Sequence, residues 1–233
     1  MRRIRVATFN ILHGRRAGAG GAVDLDLLGH SAASLRADVL ALQEVDVGVP
    51  RSGRADQAAA VGRATGLRAT FAKATRVGGI GKYGNALLVD GRTEDVEVLG
   101  LPRTVRSHEA RVALLATVRL DGAGPFTMAA THLSIHRPEV HAQLQAVVAA
   151  LVARPGPHVL VGDLNLGSDE VATVVEAAGL RLAPADAPTF PNPDPTARID
   201  HVAVSPDLQI AGVEVVATAS SDHCALIVDL EVP

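Results

Sequence analysis

The sequence predicts a mixed α/β domain built in layers. Runs of strand-like apolar residues are followed by single helical segments, and this succession occurs twice along the 233-residue chain. No linker rich in Pro, Gly or Ser and no shift in composition divides the chain, so a single domain spanning residues 1–233 is expected. Aromatic residues make up only 2% and Trp is absent, so the core must be built from Val, Leu, Ile and Ala.

The first half of the chain alternates strands with short helices. Residues 4–10 alternate apolar and polar positions, which is typical of a strand. Asp24 is suited to cap a helix whose leucines share one face. The nearly all-apolar run 38–44 has the composition of a buried strand and ends in Glu44. A short helix is expected at about 56–64, and further strands are expected at 67–74, 85–89, 96–101, 110–120 and 126–133.

The second half repeats this order. Pro138 suits the first turn of a helix that should end before the Pro-Gly-Pro stretch at 155–157. An apolar run at 158–161 predicts the strand that leads to Asp163, and Ser168 is placed to cap the helix 169–178. The last strands are expected at 198–204, 210–217 and 225–230.

Composition narrows the classes of function. A net charge of −3 and a pI near 6.3 argue against a dominant nonspecific affinity for nucleic acids. The single Cys224 excludes an intramolecular disulfide. No run approaches the ~18 apolar residues of a membrane span, and the N-terminus has a strand pattern rather than that of a signal sequence. We therefore expect a cytoplasmic, monomeric protein without membrane insertion.

Polar residues at the ends of the predicted strands are the candidates for chemistry. They are Asn10, Glu44, His132, Asp163, Asn165, Asp200, Asp222 and His223. Strand ends can converge on one pocket, and this pocket would be acidic. Carboxylate and amide oxygens suit Mg²⁺ or Mn²⁺, whereas Zn²⁺ would favour His and Cys ligands. The pattern thus indicates a metal-dependent phosphoester hydrolase.

Each residue type suits a role in such a reaction. Glu44 would be the main ligand of the ion, and Asp222 would complete the metal site. Asp163 would orient or deprotonate the attacking water, and the amide of Asn165 would hold a phosphoryl oxygen. Asp200 would set the tautomer of His223, which then meets the phosphate as a charged donor or takes a proton. The alternatives are a solvated strand end for Glu44, an Asx turn for Asp163 and Asn165, and a structural histidine for His132 or His223.

Short motifs along the whole chain resemble, in order, those of the endonuclease/exonuclease/phosphatase superfamily. They are Thr-Phe-Asn10-Ile, Leu-Gln-Glu44-Val, Gly84-Asn85-Ala86-Leu87-Leu88, Thr131-His132-Leu133, Gly162-Asp163-Leu164-Asn165, Arg198-Ile199-Asp200-His201-Val202 and Ser221-Asp222-His223. One tripeptide is weakly specific, but the ordered set is strongly so.

The resemblance implies a four-layer αββα sandwich of two packed mixed sheets flanked by helices. It also implies Mg²⁺-dependent (or Mn²⁺-dependent) phosphoester hydrolysis with Glu44 as metal ligand and with Asn10 and Asp222 near it. In the same pattern Asp163 and Asn165 lie at the attacking water. The Asp200 and His223 pair lies at the phosphate, with His132 against it.

The chain departs from the family's abasic-site nucleases. Leu12 stands where those enzymes usually carry Asp, and Phe190 is the only aromatic residue in the segment before Asp200. The forms Asn10-Ile11-Leu12-His13-Gly14 and Pro50-Arg51-Ser52-Gly53 are more similar to a branch of small bacterial hydrolases near sphingomyelinase-type phosphodiesterases. His201, next to Asp200 on a strand, is expected to point to the opposite face.

The favoured function is a phosphodiesterase or phosphomonoesterase acting on a small molecule or a lipid head group. A metal-dependent nuclease is the alternative, disfavoured by the scarcity of aromatic residues for base stacking, and a catalytically silent binding module is a third possibility. Candidates for substrate binding are Arg51, Tyr83, Asn85 and Arg111, although Arg51 could be ordinary solvated charge and Arg111 could form a surface ion pair with Glu109. Specificity should reside in the loops 14–23, 46–56, 76–84 and 184–197.

Overall fold

A computed structural model describes residues 1–16 and 22–233. The glycine-rich part of the first predicted specificity loop, residues 18–21, lies outside the described residues. The strands in chain order are β1 Arg2–Asn10, β2 Val39–Val47, β3 Arg68–Val77, β4 Gly81–Val89, β5 Gly91–Gly100, β6 Val112–Leu120, β7 Phe126–His132, β8 His158–Asp163, β9 Arg181–Leu182, β10 Asp200–Val204, β11 Gln209–Val216 and β12 Ala225–Val232. The helices are α1 Leu25–Ser34, α2 Gln57–Thr65, α3 Arg137–Val152 and α4 Ser168–Ala177.

The strands form two six-stranded mixed sheets. The first has the order β11-β12-β1-β2-β4-β3, and the second has the order β5-β6-β7-β8-β10-β9. In each sheet one central pair is parallel, β1 with β2 and β7 with β8, and the other pairs are antiparallel. The two sheets therefore have the same arrangement of a parallel centre within antiparallel flanks.

Three apolar clusters hold the layers together. The largest lies between the two sheets, and β2 contributes Val39 and Ala41 to it. The alternate residues of β2, Leu40 and Leu42, face a second cluster formed with α1 and α2. A third cluster packs α3 and α4 against the second sheet. Because the first half of β2 is covered on both faces, its residues Val39–Leu42 are all apolar. The predicted four-layer αββα sandwich is confirmed.

Most predicted elements are present with shifted ends. Asp24 caps α1 as predicted, since its carboxylate accepts a hydrogen bond of 2.9 Å from the Leu27 backbone N–H. The predicted cap of α4 is wrong: Ser168 is the first helical residue, and Gly167 is the N-cap. There the carboxylate of Glu170 accepts a hydrogen bond of 3.4 Å from the Gly167 N–H. The two-residue strand β9 was not predicted.

Glu44 does not end its strand, because β2 continues to Val47. The pairing of β2 with β4 is interrupted after Leu42 and resumes at Val45, opposite Gly84. Glu44 lies in this interruption with φ of +59°, in the left-handed region. A bulge bends the strand and changes the direction of a side chain, so Glu44 leaves the ladder although the strand continues.

Candidate active site

The ends of the parallel strands place polar side chains from both sheets at one edge of the sandwich. Asn10, at the end of β1, pairs with Gln43 of β2, and His132, at the end of β7, pairs with Asp163 of β8. The amide of Asn10 donates a hydrogen bond of 3.0 Å to Oδ2 of Asp163, on the other sheet. Residues that are 153 positions apart in sequence thus meet directly across the two sheets.

The close approach of β7 and β8 depends on Gly162. This residue has φ of +151°, and a Cβ atom placed on it would lie 2.0 Å from the carbonyl oxygen of Thr131. No side chain fits at that distance, and this backbone conformation is rarely adopted by L-residues. Gly162 therefore allows Asp163 to lie beside His132 at the end of the parallel pair.

Asp163 is the centre of the site. Its side chain is buried, with Oδ1 accepting a hydrogen bond of 3.1 Å from the Asn165 backbone N–H. Its Oδ2 lies 3.3 Å from Nε2 of His132 and 3.7 Å from Nε2 of His223. Burial and the nearby negative charge of Asp200 raise the pKa of Asp163 to about 7. A carboxyl group with this pKa is partly ionised at neutral pH.

Asp200 and His223 form a buried pair. Nδ1 of His223 donates a hydrogen bond of 2.9 Å to Oδ2 of Asp200. Burial disfavours the imidazolium, but this hydrogen bond and the charges of Asp200 and Asp163 outweigh burial and raise the pKa of His223 to about 9. The Phe190 ring covers the imidazole, with 4.8 Å between ring centroids. His223 is thus positively charged at neutral pH, with Nε2 turned toward Asp163.

His132, unlike His223, is neutral. Burial lowers its pKa well below the usual value, and the positive charges of Arg111 and His223 lower it further. Its Nδ1 atom is buried and has no hydrogen-bond partner among the described residues. The site therefore combines a neutral imidazole with a charged one, both beside Asp163.

Three other predicted site residues, Asn165, Asn85 and Arg111, use their side chains on backbone carbonyls or on a neighbouring carboxylate. The side-chain amide of Asn165, at φ of +51°, donates a hydrogen bond of 3.0 Å to the Leu133 carbonyl. The amide of Asn85 donates a hydrogen bond of 3.0 Å to the Val112 carbonyl and so links the two sheets. Arg111 forms an ion pair of 2.9 Å with Glu109, but both residues precede β6 instead of lying on it. The structure thus gives Asn85 a structural contact.

Arg51 and Tyr83 lie on the Glu44 side of the site. Nε and Nη2 of Arg51 each donate a hydrogen bond of 2.8 Å to the carboxylate of Asp46, which is fully buried. The Arg51 guanidinium carbon lies 5.5 Å from the Tyr83 ring centroid. Burial and the charge of Glu44 raise the pKa of the Tyr83 hydroxyl, so Tyr83 stays neutral. Arg51 is bound by Asp46 and is not a freely solvated charge.

One residue of this side was missed as a site residue. His13 lies within the Asn10-Ile11-Leu12-His13-Gly14 motif, and its Nε2 is 3.1 Å from Oε2 of Glu44. In the sequence this motif distinguishes branches of the family, but it assigns no role to His13. His201, in contrast, faces away from the site as predicted, and its Nε2 contacts the Leu166 carbonyl at 2.8 Å.

The donor atoms at this edge fit a divalent cation. Asp163, Asp200 and His223 offer ligand atoms that all lie within 4.8 Å of one another. Among the described residues, Oδ1 of Asp200 and Oδ1 of Asp222 are buried without a hydrogen-bond partner. Crowded carboxylates with unpartnered oxygens are stabilised by a bound cation, and such oxygens are the ligands that Mg²⁺ or Mn²⁺ prefers.

The structure places the predicted metal ligands in two positions. Oε1 of Glu44 lies 3.4 Å from the amide nitrogen of Asn10, so these two side chains are adjacent. Asp222 is next to His223 in sequence, and its charge contributes to the raised pKa of that histidine. The compact three-residue cluster lies around Asp163, with Asn10 contacting both Asp163 and Glu44.

The fold and this site define a two-sheet α/β sandwich with a candidate metal site at one edge. The chain belongs to the Endonuclease/Exonuclease/phosphatase family, which it matches over residues 7–223. No match was found among curated proteins. None of the helices in residues 1–16 and 22–233 has the length and hydropathy needed to cross a membrane.

Solved structures share the fold over nearly the whole chain. An endonuclease/exonuclease/phosphatase from Beutenbergia cavernae DSM 12333 superposes with a TM-score of 0.82 at 24% identity, covering 100% of this chain and 72% of that one. A mannosyl-6-phosphatase from Bacteroides thetaiotaomicron VPI-5482 has a TM-score of 0.72 at 17% identity, covering 98% and 99%. The catalytic domain of human Nocturnin with a bound sulfate anion has a TM-score of 0.73 at 20% identity, covering 99% and 95%.

Proposed function

We propose that this protein is a divalent-metal-dependent phosphoester hydrolase acting on a small molecule or a lipid head group. The observation that carries the proposal is the position of Asp163, which is buried between Asn10, His132 and a His223 held by Asp200. Membership of the Endonuclease/Exonuclease/phosphatase family supports the class of reaction. Phosphate ester cleavage needs a base for water and positive charge for the phosphoryl oxygens, and both are present.

Asp163 is the proposed general base. Its pKa of about 7 leaves a substantial ionised fraction at neutral pH while keeping it basic enough to accept a proton from water. The Asn10 amide and the Asn165 backbone N–H hold the two carboxylate oxygens in place at 3.0 and 3.1 Å. Because both oxygens are oriented, the proton acceptor faces a defined water position.

His223 is the proposed donor to a phosphoryl oxygen. Its raised pKa keeps it protonated, and Asp200 occupies Nδ1, so Nε2–H is the proton available to the substrate. A charged donor aimed at developing negative charge stabilises a transition state. His132, which is neutral, contributes a hydrogen bond without adding charge.

Mg²⁺ or Mn²⁺ is the proposed cofactor. When bound, the ion would neutralise charge on a phosphoryl oxygen during displacement by water. Glu44, Asn10 and Asp222 are the residues that would hold it. Arg111 and Arg51 are the cations proposed to bind the substrate. Arg111 is the better candidate of the two, because its positive charge lowers the pKa of His132 in the site and its side chain is only 11% exposed.

A panel of substrates tests the proposal. Purified protein with Mg²⁺ or Mn²⁺ should hydrolyse a sugar phosphate, bis-p-nitrophenyl phosphate or a phospholipid head group, and Asp163→Asn should not. Plasmid and single-stranded DNA and RNA belong in the same panel, and cleavage of these alone, with steep salt dependence, would favour a nuclease instead. If no phosphoester is cleaved and Glu44→Ala leaves metal binding unchanged, the proposed function is wrong.

A further inference from the structure

A series of hydrogen-bonded side chains lies behind Glu44, and two of its members, His13 and Asp46, have no role in the chemistry described above. It runs from Asp46 through Arg51 and His13 to Glu44. Arg51 uses both Nε and Nη2 on the buried carboxylate of Asp46, at 2.8 Å each. The same Nη2 lies 3.1 Å from Nδ1 of His13, and Nε2 of His13 lies 3.1 Å from Oε2 of Glu44.

The direction of the hydrogen bond to Glu44 follows from the carboxylate. Nδ1 of His13 lies 3.1 Å from Nη2 of Arg51, which only donates, and 3.1 Å from the Glu44 backbone carbonyl oxygen, which only accepts. Nε2 of His13 faces the Glu44 carboxylate, which only accepts, so Nε2 carries a proton. His13 thus donates Nε2–H to the Glu44 carboxylate.

Glu44 needs such support because its own strand provides little. It lies in the bulge of β2 at φ of +59°, where the ladder with β4 is interrupted. The amide of Asn10 is 3.4 Å from Oε1, whereas His13 is 3.1 Å from Oε2. His13 is therefore the closer of the two side-chain donors, and it leaves Oε1 on the side facing Asn10 and the rest of the site.

We propose that His13, oriented by Arg51 and Asp46, is a positioning residue that fixes the Glu44 carboxylate for the divalent cation. The inference rests on the proposed function, in which Glu44 binds that cation. Because Nε2 carries a proton, His13 acts through Glu44 and is not itself a metal ligand. Residues that orient a ligand through a hydrogen bond strengthen metal binding without touching the ion.

The backbone of His13 makes the role separable from a purely local structural one. His13 has φ of +53° within the short 3-10 turn Leu12–Gly14. Asn tolerates the left-handed region well, but its amide reaches only about as far as Nδ1. Gln fits that backbone less well, but its amide N–H can reach the place of Nε2–H. The Asn variant should therefore tolerate the left-handed backbone better, whereas the Gln variant should better preserve the hydrogen bond to Glu44.

Titration of the full-length protein with Mn²⁺, followed by electron paramagnetic resonance, tests the inference. Relative to wild type, His13→Asn should weaken Mn²⁺ binding about 10- to 100-fold, whereas His13→Gln should restore most of that loss. Arg51→Lys should also weaken binding, and less so when His13→Asn is already present, because both act on one carboxylate. His30→Asn, an exposed histidine on α1, is the matched control and should change nothing.

The outcomes separate the two proposals. If Glu44→Ala weakens Mn²⁺ binding but His13→Asn matches wild type or binds better than His13→Gln, the role of His13 is refuted and the proposed function stands. If wild type does not bind Mn²⁺, the proposed function fails and the role of His13 fails with it. Thermal unfolding of each variant is measured in parallel, and His13→Asn should unfold no earlier than His13→Gln.

Discussion

Nε2 of His223 lies 3.7 Å from Oδ2 of Asp163, so a histidine with a pKa raised to about 9 faces a carboxyl group with a pKa raised to about 7. Asp200 produces part of both shifts, because its negative charge opposes ionisation of Asp163 and favours protonation of His223. One buried carboxylate thus tunes both a proton acceptor and a proton donor.

Removal of the Asp163 carboxylate should remove the proposed general base and abolish most of the activity. Asp163→Asn keeps the shape of the side chain, although its single oxygen can accept from only one of the Asn10 amide and the Asn165 backbone N–H. We expect kcat to fall roughly 10²- to 10⁴-fold because no group accepts the proton of water. Single-turnover hydrolysis of the best phosphoester found in the panel is the measurement. Asp169→Asn, in the first turn of α4, is the control. Activity retained within a few-fold would assign the base to another residue.

Removal of the charge on Asp200 should affect His223 without deleting it. In Asp200→Asn the hydrogen bond to Nδ1 is weakened and the negative charge is lost, so the pKa of His223 should fall from about 9. We expect a loss in kcat of roughly 10²-fold, as for other misplaced acid–base partners. NMR titration of the imidazole protons of His223 measures the pKa beside the kinetics. Asp207→Asn, an exposed carboxylate, should leave both values unchanged.

The stability of the metal-free protein should fall as pH rises from 6.5 to 8.5. The folded pKa of His223 is raised from 6.5 to about 9, so its contribution is fully present below pH 6.5 and is lost as pH rises through 9. The folded pKa of Asp163 is raised from 3.8 to about 7, so its contribution also decreases up to pH 7. The buried His132 and His201, whose pKa values are lowered, are neutral in the folded protein and lose their protons in the unfolded chain as pH rises through 6.5. They therefore oppose the fall in stability only at the lower end of this range.

Calorimetric unfolding in the presence of a chelator measures this trend. His223→Gln should remove most of the decrease in Tm between pH 6.5 and 8.5, since it removes the group that releases its proton in this range. Added Mg²⁺ should raise Tm more at pH 8.5 than at pH 6.5, because the cation favours ionised carboxylates. A flat profile for wild type would show that His223 is not stabilised in its charged form.

Gly162→Ala should destabilise the fold at the site. The new Cβ would lie 2.0 Å from the Thr131 carbonyl oxygen at a φ of +151°, so β7 and β8 must separate. We expect a loss of about 1–3 kcal/mol or more in the free energy of unfolding from the strained backbone alone. Urea denaturation measures it, and Gly100→Ala is the matched control because no atom lies within 4 Å of its added Cβ. Equal stability of the two variants would contradict the steric argument.

The sequence predicted the class of fold because both sheets and all four helices leave local patterns. The two-sided burial of β2 is visible as the run Val39–Leu42, and the cap at Asp24 is visible as a single residue. The cap of α4 could not be predicted in the same way. Ser168 has the right residue type, but the chain enters the helix one residue earlier, at Gly167.

The sequence by itself determined which residues of the site are available, since Asn10, Asp163, Asp200 and His223 all lie at strand ends or in motifs that residue type and order reveal. Tertiary structure decided their charge states and partners. The pKa of Asp163 depends on burial and on Asp200, which only the pairing of β8 with β10 brings opposite it. The direction of the Glu44 side chain depends on a bulge in β2 that the sequence pattern of the strand does not reveal.

The Asp46, Arg51, His13 and Glu44 series was likewise decided by tertiary structure. Its contacts join the turn after β1 to the bulge and loop of β2, residues up to 38 positions apart. Residue type limits what a side chain can donate or accept, and the sequence provides that information directly. Distance and desolvation determine which of those bonds form, and both arise only when β1 and β2 pair and the segments that follow them fold together.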